Sequence, residues 1–111
     1  MDVKRNKTGV ITFLSPDFAL VDENMSLLDK EIKLCMETGE HRLVIDLNLV
    51  PYIDSKGLES LVDYYNLIRK GGGSIKVFNP NPLCNEILEI TGMTKYFDIY
   101  FDLETAARSF L

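Results

Sequence analysis

The fold of this chain is decided by the segment Leu43-Val-Ile-Asp-Leu-Asn-Leu-Val-Pro-Tyr-Ile-Asp-Ser-Lys-Gly-Leu58. Residues 41–47 form a nearly continuous apolar run, which is typical of a strand at the centre of a sheet covered on both faces. A loop through Pro51 follows. Apolar residues then recur at helical spacing over residues 55–70, and Gly71-Gly-Gly73 ends that pattern. The segment therefore predicts a buried strand that leads through a loop into a helix.

Upstream of this segment, the chain predicts one clear strand and one helix. Residues 9–14 are rich in β-branched and aromatic side chains and end at a turn cluster. The short apolar run of residues 18–21 could pair back on this strand as a hairpin arm. Asp22 or Asn24 can cap the helix that follows, which ends near Gly39. Its predicted apolar stripe comprises Met25, Leu28, Ile32 and Cys35.

Downstream, the alternation of strand and helix repeats. Residues 74–78 predict a strand, and the turn Asn79-Pro-Asn-Pro82 leads into a helix that Gly92 closes. Residues 97–101 predict a last short strand, and Asp102 opens a terminal helix. The predicted stripes are Leu83, Ile87 and Ile90 in the first of these helices and Leu103, Ala106, Ala107 and Phe110 in the second.

The order of the elements indicates an α/β fold. Strands that alternate with amphipathic helices favour a largely parallel sheet with right-handed crossovers, while the earliest strands are free to pair antiparallel at one edge. We expect a small mixed, largely parallel β-sheet of four to five strands with about four helices, placed on one or both faces. At 111 residues the chain has the length of one domain, so residues 1–111 are predicted to form a single domain.

Charge and composition exclude several classes of function. Seventeen acidic residues against twelve basic ones give a net charge of −5 with no basic stripe, so we expect no direct binding to nucleic acid. No segment is apolar over the roughly 18 residues of a membrane span, and no signal peptide is recognisable, which favours a cytoplasmic protein. Cys35 and Cys84 have the pattern of small buried side chains. His41 is the only histidine, so neither a metal site nor a catalytic triad is expected.

The pair Asp54-Ser55 lies where the second helix should begin, and two interpretations stay open. Ser55 can cap the helix, with its hydroxyl facing the first free backbone N–H groups. Alternatively, Ser55 can carry a phosphate, because a helix N-terminus tolerates an anion while a docked partner need not. A capping box on Ser55 would need Glu or Gln at Leu58, and the acid is instead at Glu59. Gly57 would let another chain approach closely.

Residues 44–58 resemble the signature segment of STAS domains, named for sulfate transporters and anti-sigma factor antagonists. The similarity covers nearly the whole chain from Gly9. It continues in the family's order through Lys70-Gly-Gly-Gly73, Ile75-Lys-Val-Phe-Asn79, Leu88-Glu-Ile-Thr-Gly-Met93 and Phe97-Asp-Ile99.

The resemblance implies a non-enzymatic domain that binds a partner protein and needs no cofactor. In the bacterial regulatory branch of the family, a partner kinase phosphorylates a serine that maps to Ser55. The unphosphorylated antagonist captures an anti-sigma factor, often itself the serine kinase, and frees a sigma factor for transcription, and a phosphatase resets the cycle. The expected partner-binding residues are Asp22, Tyr52, Asp54, Ser55, Lys56 and Gly57.

Two positions depart from the family's pattern. Lys56 stands where many members have a second small hydroxyl residue, and its cation could partly neutralise a phosphate on Ser55 or alter the choice of kinase. Ser15-Pro16-Asp17 stands where many members have a glycine-containing turn, in a loop that neighbours the partner surface in the family. The identity of the partner is therefore open.

Two alternatives to a phosphorylation-controlled antagonist remain. One is a STAS regulatory subunit of a larger assembly, such as a stress-signalling complex or a transporter, in which the serine is chiefly a helix cap. The other is a nucleotide-binding or catalytic domain that uses Asp46 and Asp54, although no constellation of base, nucleophile and oxyanion donors is visible. Asp46 is instead expected to accept hydrogen bonds from the following loop. On the helix, Tyr64 is predicted to be more exposed than Tyr65, while Ile53 fits either partner contact or core packing.

Overall fold

One five-stranded sheet organises the structure, which is a computed structural model and describes residues 1–111. The strands lie in chain order across the sheet; the first pair is antiparallel and every later pair is parallel. Four α-helices connect and cover them, which confirms the predicted mixed α/β fold, and none has the length and apolar character needed to cross a membrane. The elements are β1 (Val3–Thr8), β2 (Ile11–Pro16), α1 (Met25–Glu37), β3 (Arg42–Asp46), α2 (Ser55–Lys70), β4 (Ser74–Phe78), α3 (Pro82–Ile90), β5 (Ile99–Tyr100) and α4 (Leu103–Arg108).

The core lies on both faces of the sheet, because successive side chains of a strand point to opposite faces. Leu43 and Ile45 of the central strand β3 belong to the main core of 20 buried residues, which includes the buried side chains of α1, α2 and α3. Val44, between them, lies in a smaller cluster that packs against Ala107 of α4. Three helices therefore cover one face and the short α4 covers part of the other, a choice that the sequence pattern left open.

The first strand, β1, is missing from the sequence prediction, which begins the sheet at residues 9–14. Its side chains are mostly charged or polar, and only Val3 packs against the main core. Such side chains are common on edge strands, where they protect the open hydrogen-bonding edge. Gly9, with a φ of 62°, provides the tight turn that pairs Thr8 with Ile11. The antiparallel partner of β2 is therefore the strand before it in the chain, β1.

The predicted hairpin arm over residues 18–21 is wrong. Leu20 makes an isolated parallel bridge to Ile53, and these residues form no ladder with β2. Phe18 and Leu20 are buried in the main core. Their apolar character thus reflects a connecting segment that packs inward, which a short run cannot distinguish from a strand.

Helix α1 has the predicted position and stripe but not the predicted side-chain cap. Asp22 is exposed in a short 3₁₀ turn, and the amide of Asn24 donates to the carbonyl of Ala19 at 2.9 Å instead of serving the helix. Asn24 therefore occupies the predicted N-cap position, but neither its side chain nor that of Asp22 accepts an N–H of the helix. The four predicted stripe residues, Met25, Leu28, Ile32 and Cys35, are all buried.

Helix α3 begins where the Asn-Pro-Asn-Pro turn predicts, but a different side of it is buried. The Asn81 side chain caps the helix by accepting the N–H of Cys84 at 2.7 Å. The buried residues are Cys84 and Leu88, whereas Leu83 is 51% and Ile90 is 76% exposed. The predicted stripe is therefore wrong: aliphatic spacing fits two neighbouring phases of a short helix, and the side with Cys84 and Leu88 packs in the main core.

Tyr64 is buried and Tyr65 is half-buried, so the predicted order of exposure is wrong. The Tyr64 hydroxyl donates to the carboxylate of Asp29, which joins α2 to α1. Burial, together with this hydrogen bond, raises the pKa of Tyr64 above its ordinary range. Arg69 instead donates to the Tyr65 hydroxyl at 2.6 Å, on the exposed side of α2. A polar partner on another helix thus decides which tyrosine is buried.

Both cysteines are buried, as the sequence predicts. Burial raises the pKa of the Cys35 thiol and that of the Cys84 thiol. Both thiols therefore stay protonated near neutral pH and pack as small apolar side chains.

The hydrogen bond between Tyr64 and Asp29 predicts unequal effects for two neighbouring substitutions. Tyr64→Phe leaves the Asp29 carboxylate without its donor and should lower the free energy of unfolding by about 1–2 kcal/mol. Tyr65→Phe, which removes a hydroxyl bonded only to exposed Arg69, should change it by less than about 0.5 kcal/mol. Urea unfolding of both variants makes the comparison; equal losses would contradict a special role for the bond between the helices.

Candidate functional site

The loop between β3 and α2 carries the candidate site, and Asp54 caps the helix there. The Asp54 backbone is extended, and its carboxylate accepts the N–H of Gly57 at 2.8 Å. The Asp54 carbonyl accepts the N–H of Leu58 at 3.0 Å. Ser55 is the first residue of α2 and is exposed. Of the two interpretations left open above, the cap therefore belongs to Asp54, and the hydroxyl of Ser55 is accessible.

Gly57 is buried against the chain's own backbone. A Cβ atom at Gly57 would lie 2.0 Å from the carbonyl oxygen of Leu20 and 2.9 Å from the side chain of Ile53. Leu20 is held in this position because its N–H donates to the Tyr52 carbonyl and its carbonyl accepts the N–H of Asp54, both at 3.1 Å. This contact inside the chain is by itself a reason for residue 57 to be glycine. Contact between Gly57 and a partner protein stays a prediction.

The same contact brings most of the predicted partner-binding residues to one edge of the sheet. Asp22 follows Leu20 by two residues and is exposed beside the loop. Of the two apolar residues before Asp54, Tyr52 is 47% exposed, whereas Ile53 is buried in the core. Four of the six predicted residues, namely Asp22, Tyr52, Ser55 and Lys56, are therefore accessible, while Asp54 is half-buried and Gly57 is buried.

Asp46 shapes the loop, as the sequence predicts. Its carboxylate accepts the backbone N–H of Asn48 at 3.0 Å and the hydroxyl of Ser15 at 3.1 Å. Asn79, which adopts a φ of 53°, donates its side-chain amide to the side-chain oxygen of Asn48 at 3.0 Å. The start of the loop is therefore tied to the ends of β2 and β4.

Two exposed leucines beside the site are missing from the sequence prediction. Leu49 is 61% and Leu83 is 51% exposed. The segments that carry them are linked by Asn81, whose amide donates to the carbonyls of residues 50 and 51 at 3.0 and 3.3 Å and so holds the start of α3 against the loop. We call Leu49, Tyr52 and Leu83 the apolar patch. Each leucine lies in an apolar run or stripe, so no local pattern marks it as exposed.

Ser55 lies between a carboxylate and a cation. Asp54 precedes it, and Lys56, which follows, is paired only loosely with Glu59 at 3.9 Å, where both side chains are exposed. The backbone N–H groups of Ser55 and Lys56 have no partner within the helix, as is usual for a first turn. A phosphate on Ser55 would be stabilised by these groups, at about 0.3–1 kcal/mol for each favourable charge near a helix N-terminus.

His41, Asp46 and Asp54 are the residues weighed for metal binding or catalysis, and the structure gives each a definite place. The structure brings together no group of three or more His, Cys, Asp and Glu side chains that could hold a metal ion. His41 is exposed ahead of β3, at the opposite edge of the sheet from Ser55. The carboxylates of Asp46 and Asp54, the two candidates for catalysis, both accept backbone hydrogen bonds.

The chain matches a known family along nearly its whole length. A family model described as the STAS domain matches residues 2–106. The chain belongs to the STAS domain family. One relative of this STAS protein, the anti-sigma F factor antagonist of Paenibacillus polymyxa, is 34% identical over 100 residues, which cover 90% of this chain and 85% of that protein. The resemblance found in the signature segment is thereby confirmed.

Solved structures share the fold of this STAS protein. The crystal structure of a protein from Thermotoga maritima has a TM-score of 0.89 at 23% identity and covers 96% of this chain and 92% of its own. The Bacillus anti-sigma factor antagonist SpoIIAA, unphosphorylated, has a TM-score of 0.78 at 12% identity, over 96% of this chain and 95% of that one. Its phosphorylated form has a TM-score of 0.71 at 13% identity, over 96% and 98%. At these identities the likeness is one of fold.

The close approach of Leu20 predicts that a single methyl group at residue 57 is costly. Gly57→Ala should lower the free energy of unfolding by about 1–3 kcal/mol, because the backbone of Leu20 or α2 must shift. The matched control is Gly71→Ala, where the φ is −83° and the nearest atom to the added carbon is 3.6 Å away, and there the change should stay within about 0.5 kcal/mol. Urea unfolding compares them; similar values for both variants would refute the contact.

The assignment of the helix cap to Asp54 predicts a second contrast. Asp54→Ala should cost about 1 kcal/mol of stability, whereas Asp54→Asn, which keeps an acceptor for the Gly57 N–H, should cost less. Ser55→Ala should change stability by less than about 0.5 kcal/mol, because the Ser55 hydroxyl lies outside the cap. Thermal and urea unfolding measure all three, and a loss at Ser55→Ala as large as that at Asp54→Ala would return the cap to the serine.

Proposed function

We propose that this STAS protein is an anti-sigma factor antagonist that binds an anti-sigma factor with serine kinase activity and is switched off by phosphorylation of Ser55. The observation that carries the proposal is the exposed hydroxyl of Ser55 at the start of α2, left free because Asp54 caps the helix. The name of the Paenibacillus relative supports the role. The existence of a phosphorylated form of SpoIIAA, which has the same fold, supports the modification. In this proposal the 111 residues act as one cytoplasmic domain that regulates sigma-factor-dependent transcription.

The proposed partner surface consists of the start of α2 and the apolar patch. Tyr52 supplies an exposed aromatic side chain, a type that is enriched at the centres of interfaces. Leu49 and Leu83 extend the apolar area from the loop onto α3. Asp22, Asp54 and Lys56 complete the surface around Ser55, with the two carboxylates and the ammonium group setting its charge pattern. Gly57 lies buried directly beneath this surface.

Phosphorylation would affect the free protein and the complex differently. A phosphoserine adds about −1.5 to −2 charges at neutral pH. In the free protein, water, the first-turn N–H groups and Lys56 can solvate that charge, so the fold survives. In the complex, the phosphate would be pressed against a partner surface fitted to a neutral serine. The repulsion is sharpened by Asp54, whose carboxylate is held beside Ser55 by its bond to Gly57.

Lys56 places a cation directly after the proposed phosphorylation site, Ser55. Its ammonium group follows the phosphorylated residue directly and is not held by a close partner, since Glu59 is 3.9 Å away. It can turn toward a phosphate on Ser55 and offset part of the added charge. A kinase that modifies Ser55 must accept this cation next to the target hydroxyl, and a phosphatase that resets the cycle must do the same.

The first test of the proposal is the binding of the unmodified and charged forms to an anti-sigma factor kinase from the same organism. Wild type and Ser55→Ala should bind it, whereas Ser55→Asp should bind at least about tenfold more weakly, because a carboxylate replaces the neutral hydroxyl at the interface. Thr94→Asp is the matched control: it adds the same charge at an exposed hydroxyl position beyond α3 and should bind like wild type. Calorimetry measures the four affinities.

The modification itself has a separate readout. Incubation with the kinase and ATP should add one phosphate to wild type and to Thr94→Asp, and none to Ser55→Ala, as counted by intact-mass spectrometry. If the kinase neither binds nor modifies the protein, the proposal fails. If Ser55→Asp binds as tightly as wild type, the protein acts instead as a regulatory subunit that Ser55 phosphorylation does not control.

A further inference from the structure

The strand β1 forms one lateral edge of the sheet, and no other strand covers it. It is first in the order of the strands and pairs only with β2. It has six residues, whereas β5 at the other edge has two, so β1 is the longer of the two edges. An edge strand presents a row of unpaired backbone N–H and C=O groups to which another chain can pair.

The pairing of β1 with β2 determines which backbone groups of β1 point outward. A two-residue turn joins Thr8 to Ile11, and residues that flank such a turn exchange both of their backbone hydrogen bonds. Along an antiparallel ladder, hydrogen-bonded and non-bonded pairs alternate. Every second residue from Thr8 back to Lys4 therefore bonds to β2, whereas Arg5 and Lys7 direct their N–H and C=O groups away from the sheet.

Contacts beyond the ladder agree with this alternation. The N–H of Asp17 donates to the carbonyl of Asp2 at 3.1 Å, which continues the bonded positions by one step. Val3, at the next outward position, donates its N–H to the Asp2 carboxylate at 2.9 Å. Arg5 and Lys7 make no backbone hydrogen bond to a turn or loop. We call the outward backbone groups of Arg5 and Lys7 the open edge.

Helix α1 forms a wall beside the open edge. The carboxylate of Glu31 in α1 is 4.0 Å from the guanidinium of Arg5, so this side of the helix faces β1. Leu27 and Leu34 lie on the same side, because residues three and four apart are neighbours on a helix. Leu34 is 42% exposed, and Leu27 is half-buried against the main core. A strand added to the open edge would therefore also contact apolar side chains of α1.

The charge of β1 determines which kind of strand fits. Lys4 is exposed and makes no ion pair, and Lys7 is exposed with its ammonium group 3.6 Å from Glu40. Arg5 also pairs with Glu40. Because three of the six residues are cations, pairing β1 with β1 of a second copy would bring like charges close together, which is destabilising. A strand that carries carboxylates is attracted instead.

From these features we infer that β1 binds an extended acidic segment of a partner protein by strand addition. The backbone groups of Arg5 and Lys7 bond to the added strand, and its alternate side chains provide specificity. Its apolar side chains lie on the face of Leu27 and Leu34. Its carboxylates lie on the other face beside Lys4, since successive side chains of a strand point to opposite faces.

This surface is separate from the proposed partner surface. It consists of β1 and one side of α1, whereas Ser55 lies between β3 and α2. Strand addition at β1 needs neither an anti-sigma factor nor phosphorylation. The purified protein and a synthetic peptide can therefore test it, and the result stands whether or not the proposed function holds.

Hydrogen exchange in the free protein tests the orientation of the open edge. The amide hydrogens of Arg5 and Lys7 should exchange with solvent at least about tenfold faster than those of Asn6 and Thr8, which donate to β2. NMR measures the four rates. Equal protection of all four amides, or the reverse order, would overturn the assignment of the outward groups.

Titration of the full chain with a designed peptide tests the binding. The probe is an acetylated and amidated peptide of about seven residues, in which glutamate and valine alternate so that it can span β1. It should bind saturably and slow the exchange of the Arg5 and Lys7 amides. Two control peptides should bind at least about tenfold more weakly: one has lysine in place of glutamate, and the other is methylated at every backbone nitrogen and cannot donate to a strand.

Variants of the protein separate the backbone from the charge. Lys7→Pro removes an outward N–H and spares the bonds to β2, because proline is tolerated on an edge strand where its nitrogen faces solvent. It should bind the peptide about tenfold more weakly than Lys7→Gln, which removes the same charge but keeps the N–H. Lys4→Glu should weaken binding about fivefold. Its matched control is Lys33→Glu, on the side of α1 that faces α2, which should bind like wild type.

Three results of the titrations would overturn the inference. The first is the absence of saturable binding of the acidic peptide up to about 2 mM, the weak end of ordinary affinities. The second is equal binding of a control peptide, which would remove either the acidic charge or the strand pairing. The third is a dimer of the free protein in sedimentation that Lys7→Pro dissociates, which would make a second copy the occupant of β1. Circular dichroism of each variant confirms that a loss of binding does not come from unfolding.

Discussion

The backbone contact between Leu20 and residues 52–57 is the constraint on which the candidate site depends. Two hydrogen bonds join Leu20 to the carbonyl of Tyr52 and the N–H of Asp54, and the absence of a side chain at Gly57 lets the first turn of α2 come against the Leu20 carbonyl. These bonds hold Asp54 in the extended conformation that a helix cap requires. The N–H groups of Gly57 and Leu58 both donate to Asp54, so the helix does not need the hydroxyl of Ser55 as a cap. Ser55 is exposed.

A serine at the first turn of a helix is well placed for reversible modification. The helix gives the residue a fixed position, which a flexible loop would not. The same first turn offers unpaired N–H groups, so a negative charge there does not unfold the domain. Asp54 and Lys56 then set the local balance of charge on either side of the serine. In the proposed function, a single phosphate would therefore alter what binds at this surface while leaving the core intact.

Helix α2 extends from the candidate site at Ser55 to the opposite edge of the sheet, where β4 begins. Its first residue belongs to the candidate partner surface, and its last turn carries Arg69, which lines a cavity at the start of β4. Between them, Leu61, Tyr64 and Ile68 anchor the helix in the core, and the bond from Tyr64 to Asp29 ties it to α1. The two ends differ in character, since one combines apolar side chains with a hydroxyl and the other combines cations with aromatic rings.

The parts of the fold that could be predicted are those whose information is local. The apolar run of β3, the helical spacing of α2 and the glycines after it each lie within one element, and the loop between them carries the family's signature. The same stretch also placed the candidate site at the start of α2. In contrast, β1 is an edge strand with few apolar side chains, so it lacks the pattern by which strands are recognised. The buried side of α3 was ambiguous because two phases of a short helix are similarly apolar.

Local pattern was thus enough to predict a mixed α/β domain with a serine at a helix start, because strand burial, helix periodicity and turn residues act over a few neighbouring positions. The resemblance of residues 44–58 to the signature segment indicated the STAS family. Contacts between distant residues decided the rest. Only the approach of Leu20 shows why residue 57 is glycine, only the cap at Asp54 frees the hydroxyl of Ser55, and only the link from Asn81 to the loop gathers the apolar patch. Folding alone also brings together four basic residues from separate parts of the chain, around the cavities at the start of β4: Arg42, Arg69, Lys76 and Lys95.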